Sequence, residues 1–236
     1  MTLAIIPAYN ESKAIGQVVA ELLAQGLPVV VVDDCSTDDT RARAEQAGAT
    51  VLRHPINLGY GSALQTGYQY AWQHGFQQVV QLDGDGQHDP KSAWDLLRVL
   101  AEGHHDLIIG SRFLHSESYR VPFLRRTGQK FFGAILNGVT GMSITDPTSG
   151  YQALSGKVIQ FYCTRIFPDD FPDANILLLL HRKGFRIIEI PVRMYVSSSG
   201  SMHSGFFQSF YYVIKMMLSI FITLLTKVPG EENLNR

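Results

Sequence analysis

Asp83 and Asp85 stand one residue apart in Asp83-Gly84-Asp85-Gly86-Gln87-His88-Asp89-Pro90, directly after the apolar run Val79-Val80-Gln81-Leu82. Two carboxylates so placed can hold a divalent ion. Magnesium and manganese take hard oxygen ligands, commonly one or two carboxylates, with water and substrate phosphates completing the shell. The cluster therefore implies Mg2+ or Mn2+ together with a phosphorylated ligand. Acidic residues with glycine also make ordinary solvated turns, and the octapeptide alone does not choose between the two. A second acidic pair, Asp33 and Asp34, closes the run Val29-Val30-Val31-Val32. A carboxylate there can accept a hydrogen bond from a base N–H or a ribose hydroxyl. Helix capping competes for the pair, but Asp38 or Thr37 is the better cap for the segment that follows, which leaves Asp33 and Asp34 free for a ligand.

These residues need a scaffold, and the hydrophobic pattern supplies one. Short apolar runs at 3–6, 28–32, 49–52, 79–82 and 107–110 alternate with stretches of helical spacing at 11–24, 38–47, 60–74 and 90–101, the last with Pro90 in its first turn. A succession of βα units folds as an α/β domain with a mostly parallel central sheet wrapped by helices. In such sheets ligands bind outside the carboxyl ends of the strands, where the strand order reverses. Ala8-Tyr9-Asn10-Glu11, the 33–38 cluster and Asp83-Gly84-Asp85 all fall at those ends. After residue 112 the rhythm weakens. Arg120, Arg125, Arg126 and Lys130 lead to Asp146-Pro147-Thr148-Ser149-Gly150-Tyr151, a half expected to cover the site. Residues 187–192 read as a last strand and 197–201, Ser-Ser-Ser-Gly-Ser, as a flexible loop.

With 236 residues, 45% of them hydrophobic, the chain can bury a sizeable core and is not a disordered protein. A formal charge of −1 supplies no global field for nucleic acid, so no nucleic-acid partner is expected and any basic site must be local. Cys35 and Cys163 are too few for a disulfide framework and read as structural in a reducing compartment. The N-terminus runs from Thr2 straight into Leu3-Ala4-Ile5-Ile6-Pro7 without the features of a signal peptide, which points to the cytoplasm. Residues 206–228 change character, rich in Phe, Tyr, Ile, Leu and Met and lacking acidic residues. Lys215, Ser219, Thr223 and Thr226 fall on one helical face, leaving a broad apolar face opposite. That pattern predicts an amphipathic helix in the membrane interface, Lys215 and Lys227 reaching anionic headgroups. Packing on the body or on another subunit of a homo-oligomer and a true span are the alternatives, the span disfavoured by about 2.5–3.5 kcal/mol for a central Lys. The expected organisation is a body over 1–203, the helix over 204–228 and a flexible tail over 229–236. No Walker A sequence is present. Gly59-Tyr60-Gly61 opens a helix, but Leu64 stands where a dinucleotide fingerprint wants its third glycine, which excludes NAD.

Five separated segments coincide with one family: Pro7-Ala8-Tyr9-Asn10-Glu11, the stretch from Val32 to Thr40, Asn57-Leu58-Gly59-Tyr60-Gly61-Ser62-Ala63, the acidic octapeptide, and Gly110-Ser111-Arg112. Over about residues 3–195 the chain resembles family 2 glycosyltransferases of the GT-A fold, a Rossmann-like nucleotide-diphospho-sugar transferase architecture. Within them it is similar to the dolichyl-phosphate mannose synthase-like, or polyprenyl-phosphate glycosyltransferase, branch. By that resemblance Pro7, Tyr9, Glu11 and Asp33 or Asp34 hold the nucleoside. Asp83, Asp85 and Gln87 hold the metal and through it the donor diphosphate, and Arg112, with Arg125 or Arg126, faces phosphate groups.

Cleaving a sugar-diphosphate bond needs charge stabilisation on the departing nucleotide, supplied by a metal as Lewis acid and by arginine as a bidentate donor. The acceptor decides whether a base is needed. A lipid phosphate, with a second pKa of about 6, is largely ionised already, whereas a sugar hydroxyl must lose a proton as it attacks. Asp146 is the candidate base, and bracing its own turn through a side-chain hydrogen bond is the competing role. Relatives commonly carry an arginine after the last strand, ahead of a glycine and a serine. The corresponding position here falls near Ser197, Arg193 is expected to be solvated, and His203 to begin the terminal helix. The expected activity is inverting, metal-dependent transfer of a hexose from a GDP- or UDP-sugar to a polyprenyl phosphate, by an enzyme peripheral on the inner face of the membrane. Transfer to a sugar hydroxyl of a glycan or glycolipid is the alternative within the class. A catalytically silent nucleotide-binding or membrane-scaffold homologue is the alternative outside it.

Overall fold

A computed structural model describes residues 1–114, 123–168, 172–195 and 206–225, with the side chains of 123–130, 206–214 and 216 outside the description. Its first half alternates strand and helix: β1 (Thr2–Ala8), α1 (Ile15–Ala24), β2 (Val29–Asp33), α2 (Thr40–Gln46), β3 (Thr50–Arg53), α3 (Tyr60–Gln73), β4 (Gln78–Gln81), α4 (Ala93–Ala101) and β5 (Leu107–Ser111). The second half adds α5 (Phe123–Thr140), β6 (Gln152–Ser155), α6 (Gly156–Tyr162), α7 (Ala174–Arg182), β7 (Ile187–Pro191) and α8 (Phe206–Leu225). The strands form one sheet in the order β3-β2-β1-β4-β6-β5-β7. All pairings are parallel except those of β6, which runs antiparallel between β4 and β5. The chain therefore builds outward from β1 to β3, then crosses back to place β4 on the other side of β1. That reversal opens the crevice at the carboxyl ends of β1 and β4.

Parallel strands covered on both faces must be apolar throughout, and β2, with four consecutive valines, is buried along its whole length. Alternate residues point to opposite layers. Leu3, Ile5, Val30 and Val32 join a core with α3, α5, α6 and α7, whereas Ala4, Ile6, Val29 and Val31 join one with α1, α2 and α4. Close approach of α3 to β1 depends on Gly67, where a Cβ would lie 2.5 Å from Ile5 Cγ2.

The five expected strands and four expected helices of the first half are present, with their bounds moved by a few residues. The largest shift is α1, which starts at Ile15 rather than residue 11, because Asn10 has a left-handed φ of 58° and residues 10–12 bond to the neighbouring loop. The segment expected as a helix from residue 90 opens with a 3-10 turn, Pro90–Ser92, capped by the Asp89 carboxylate on the Lys91 N–H. β6 was not anticipated. It is four residues long with two apolar side chains, too short for a period to show.

At the C-terminus α8 packs on α7. Asn175 donates to Ser219 Oγ at 2.8 Å, Arg182 donates to the Thr223 carbonyl, and Ile220 is buried. The stripe containing Ser219 and Thr223 thus faces the protein, while Met217, Leu218, Phe221, Ile222, Leu224 and Leu225 are exposed. Sequence reasoning expected that polar stripe to face water and headgroups. Hydrogen-bond partners on α7 reverse the orientation. Residues 197–201, His203, Lys227 and the tail 229–236 lie outside the described residues.

Candidate active site

The loops after β1 and β2 are tied together by side chains taking over the role of missing backbone partners. The Asn10 N–H donates to Ser36 Oγ at 3.0 Å, the Glu11 N–H to Thr40 Oγ1 at 2.7 Å, and the Thr37 N–H to Asn10 Oδ1 at 2.8 Å. Asn10 and Cys35 are both left-handed, at φ 58° and 63°, a strain that non-glycine residues carry where surrounding contacts enforce it. Around this rim Pro7 is buried in β1, Tyr9 is exposed and Glu11 is half-buried.

Asp33 and Asp34 do not stand free. Asp33 Oδ1 accepts the Ser36 N–H at 3.0 Å, and its buried Oδ2 has no hydrogen bond, lying 3.5 Å from Arg53 Nε. Asp34 holds the loop before α3: Oδ1 accepts the Leu58 N–H at 2.8 Å and pairs with His54 Nδ1 at 2.7 Å, and Oδ2 accepts the Gly59 N–H at 2.8 Å. Asp38 does serve the start of α2, accepting the Thr40 N–H at 2.9 Å. The inference that Asp38 releases the other two for a ligand is therefore corrected. Loop amides, not the helix, engage them.

The acidic loop follows β4. Asp83, Asp85 and Gln87 are all half-buried. Asp83 Oδ1 accepts the Tyr60 hydroxyl at 2.9 Å. Asp85 accepts the Gln87 N–H at 2.9 Å and the Gln87 side-chain NH2 at 2.6 Å. His88 sits beneath, accepting the Asp83 N–H on Nδ1 at 3.0 Å and stacking on Tyr151 with centroids 4.9 Å apart. Burial pulls its pKa down to about 4, with the Asp85 carboxylate opposing and the Arg112 guanidinium reinforcing the drop. A neutral imidazole is what an acceptor for an N–H requires.

Arg112, at the end of β5, is buried and closed on Asp146. Its Nε lies 2.6 Å from Oδ2, its Nη2 3.2 Å from Oδ1, and its backbone N–H also reaches Oδ2 at 3.3 Å. Asp146 has no exposed surface. The expectation that its side chain braces its own turn is corrected: the carboxylate binds Arg112, and the turn is closed by the Ser149 N–H donating to the Asp146 carbonyl. Arg112 in this arrangement presents its fork to Asp146 rather than to a phosphate. Arg125 and Arg126 lie in α5, but their side chains are outside the described residues, as is Arg120. Arg193 is exposed as expected.

Two contacts bring the second half against the donor side. A Cβ on Gly150 would lie 2.8 Å from the Tyr60 hydroxyl and 3.2 Å from both Asp83 carboxylate oxygens, so the 146–151 turn presses on the acidic loop as only a glycine allows. Beyond β7, the segment 193–195 is laced to the same loop: the Asp89 N–H donates to the Arg193 carbonyl at 3.3 Å and the Tyr195 N–H to the Gln87 carbonyl at 2.7 Å. The Tyr195 hydroxyl donates to Asp89 Oδ2 at 3.1 Å.

This is a strand-end crevice with the tied loops after β1 and β2 on one side and half-buried carboxylates on the other. The family model for glycosyl transferase family 2 matches residues 3–162. The chain belongs to glycosyl transferase family 2. A Methanocaldococcus jannaschii protein, the uncharacterized MJ1222, is 32% identical over 91% of this chain and 90% of its own length. The polyprenol monophosphomannose synthase of Mycolicibacterium smegmatis is 28% identical over 81% of this chain and 76% of that protein. The same GT-A architecture appears in glucosyl-3-phosphoglycerate synthase from Mycobacterium tuberculosis, solved with Mn2+ and UDP-glucose. It aligns at a TM-score of 0.70 and 19% identity over 98% of this chain and 81% of that one.

For a family 2 transferase the donor set of the acidic loop has the right chemistry. Among the described residues no point gathers three or more His, Cys, Asp or Glu side chains, so no all-protein cage exists. Two carboxylates and one amide oxygen are hard ligands that leave positions for water and phosphate oxygens, as Mg2+ and Mn2+ require. Sequence reasoning missed Tyr60, which orients Asp83, and gave His88 no role of its own. Its role is to hold the Asp83 backbone. Tyr60 carries no local pattern, since its partner lies on another element, whereas His88 acts within the acidic loop itself, on the backbone of Asp83.

Proposed function

We propose that this nucleotide-sugar-dependent glycosyltransferase moves a hexose, with inversion, from a GDP- or UDP-sugar to a polyprenyl phosphate. The carrying observation is the pair of half-exposed carboxylates, Asp83 and Asp85, at the sheet's reversal point. Asp83, held by Tyr60 and backed by His88, and Asp85, tied to Gln87, would hold Mg2+ or Mn2+. The ion, when bound, supplies Lewis-acid stabilisation of the leaving diphosphate. Tyr9 and Glu11 flank the nucleoside, and the 10–12 and 36–40 loops, rigid through their mutual hydrogen bonds, fix its position.

The state of Asp146 bears on the acceptor. The one carboxylate considered as a base for a sugar hydroxyl, Asp146, is sealed against Arg112, which disfavours a hydroxyl acceptor and favours one already ionised at neutral pH. The named activity of the M. smegmatis relative supports the same choice. A lipid acceptor fits the outward apolar face of α8, which we assign to the membrane surface. Among the described residues no helix is long and apolar enough to cross a membrane.

The test is a panel of UDP- and GDP-sugars with Mn2+ or Mg2+ and a short polyprenyl phosphate, with products read by mass spectrometry. Transfer to the lipid phosphate is expected from at least one donor. Asp85→Asn should abolish it with the fold intact by circular dichroism. Undiminished transfer by that variant would overturn the metal assignment, and transfer only to glycan hydroxyls would overturn the acceptor.

A further inference from the structure

Glu189 is the only acidic residue in β7, Ile-Ile-Glu-Ile-Pro, and none of the chemistry above uses it. Its carboxylate is nonetheless fully engaged. Oε1 accepts the Asp146 N–H at 2.6 Å, and Oε2 accepts the Thr145 N–H at 2.8 Å and the Thr145 hydroxyl at 2.7 Å. Two consecutive backbone amides converging on one carboxylate fix the peptide between them, and charge-assisted bonds of this length are the strong kind. Thr145 Oγ1 also lies 2.9 Å from Ser111 Oγ at the end of β5, so the 145–146 peptide is gripped from two strands. Burial pushes the Glu189 pKa up, and the Thr145 and Asp146 hydrogen bonds pull against that rise.

That peptide is where the two halves of the site meet. Asp146 carries the carboxylate that clamps Arg112, and four residues on, Gly150 abuts the Tyr60 hydroxyl and the Asp83 carboxylate. A turn that shifted by a few tenths of an ångström would rotate the Arg112 guanidinium and press on, or release, Asp83. β7 pairs with β5 in register, with Glu189 opposite Ile109, so the anchor sits on the sheet rather than on another loop.

We infer that Glu189 is a positioning residue of the transferase: from the edge of the sheet it fixes the Thr145–Asp146 peptide and, through it, the placement of Arg112 and of the turn against Asp83. This rests on the transfer activity proposed above. It assigns Glu189 no contact with substrate.

The test combines Glu189→Gln, Asp146→Asn and the double variant. Glutamine keeps the size and one acceptor oxygen but turns an NH2 toward an amide N–H. The expected result is about a tenfold fall in kcat per folded molecule with little change in donor KM, the scale of one lost charge-assisted hydrogen bond, while the melting temperature falls by only a few degrees. The double variant should lose no more than the worse single, because both act through one path. Multiplying losses, or a large drop in melting temperature with kcat per folded molecule unchanged, would overturn the inference and leave Glu189 a brace of the fold. Should Asp146→Asn not fold, Arg112→Lys takes its place in the cycle under the same criterion. Amide hydrogen exchange at Thr145 and Asp146, read by NMR without substrate, should be faster in Glu189→Gln, and unchanged exchange would overturn the inference independently. An inactive parent with accelerated exchange in the variant would sink the transfer reading while sparing the peptide anchor.

Discussion

His88 shows how much of the site is held by residues that never touch a ligand. Its neutral imidazole accepts the Asp83 N–H, so protonation removes the acceptor and buries a charge beneath the acidic loop. In the unfolded chain His88 titrates near 6.5, and in the fold burial lowers this to about 4. Between those values the unfolded state binds more protons, so stability rises with pH through the window and is lost as pH falls from 6.5 towards 4. Urea denaturation at pH 7 and pH 4.5 should show a loss on the order of 2 kcal/mol attributable to this residue, and His88→Asn, whose amide oxygen can replace Nδ1 as acceptor, should flatten that dependence. An equal slope in the variant would place the acid sensitivity elsewhere. The acidic pair at 83 and 85 was legible as chemistry because its spacing is local. Tyr60 was not, because it acts on Asp83 from a helix that only folding brings near, and His88, though in the same loop, shows its role only once the loop's hydrogen bonds are formed.

Among the elements, α8 departs furthest from expectation. A helix with a polar stripe ordinarily turns that stripe to water. Here Asn175 and Arg182 of α7 supply hydrogen-bond partners to Ser219 and the Thr223 carbonyl, and the apolar side is left outward. Phe221 is 57% exposed, which makes it a probe of what covers that face. Phe221→Ser should weaken partition onto lipid vesicles by roughly 30-fold, the equivalent of about 2 kcal/mol of aromatic burial, without lowering the melting temperature. Unchanged partition combined with dissociation of a dimer in sedimentation would assign the face to a second copy of the chain. The stripe itself was readable from helical spacing. Its direction was not, because periodicity says which residues share a face and nothing about which neighbour has donors to offer.

Across the whole molecule, the last strand feeds back onto the donor loop. β7 lies at the sheet edge farthest from β3, yet residues 193–195 return to bond with 87–89, and an isolated bridge pairs His88 with Met194. A ligand gripped by the acidic loop should therefore stabilise the fold as one unit. The matching nucleoside diphosphate with Mn2+, at 100 times its dissociation constant, should add about 2.7 kcal/mol and raise a single thermal transition by roughly 5–10 °C. Tryptophan fluorescence, from Trp72 on α3 and Trp94 on α4, should report the same midpoint as far-ultraviolet circular dichroism. Comparing GDP with UDP in this assay identifies the base, and no shift with either would contradict a nucleotide site at the strand ends.

By itself the sequence determined the βα rhythm of the first half, the clustering of polar residues at strand ends and the acidic loop. All of these are written in short-range order, in periods of two and 3.6 residues and in motifs a few residues long. Tertiary structure alone decided that Asp34 anchors the loop before α3, that Asp146 is sealed against Arg112 rather than open to a substrate, and that the four residues of β6 slip antiparallel between β4 and β5. A buried carboxylate's role is set by whichever donors the fold delivers to it, and those donors lie 20 to 34 residues away along the chain.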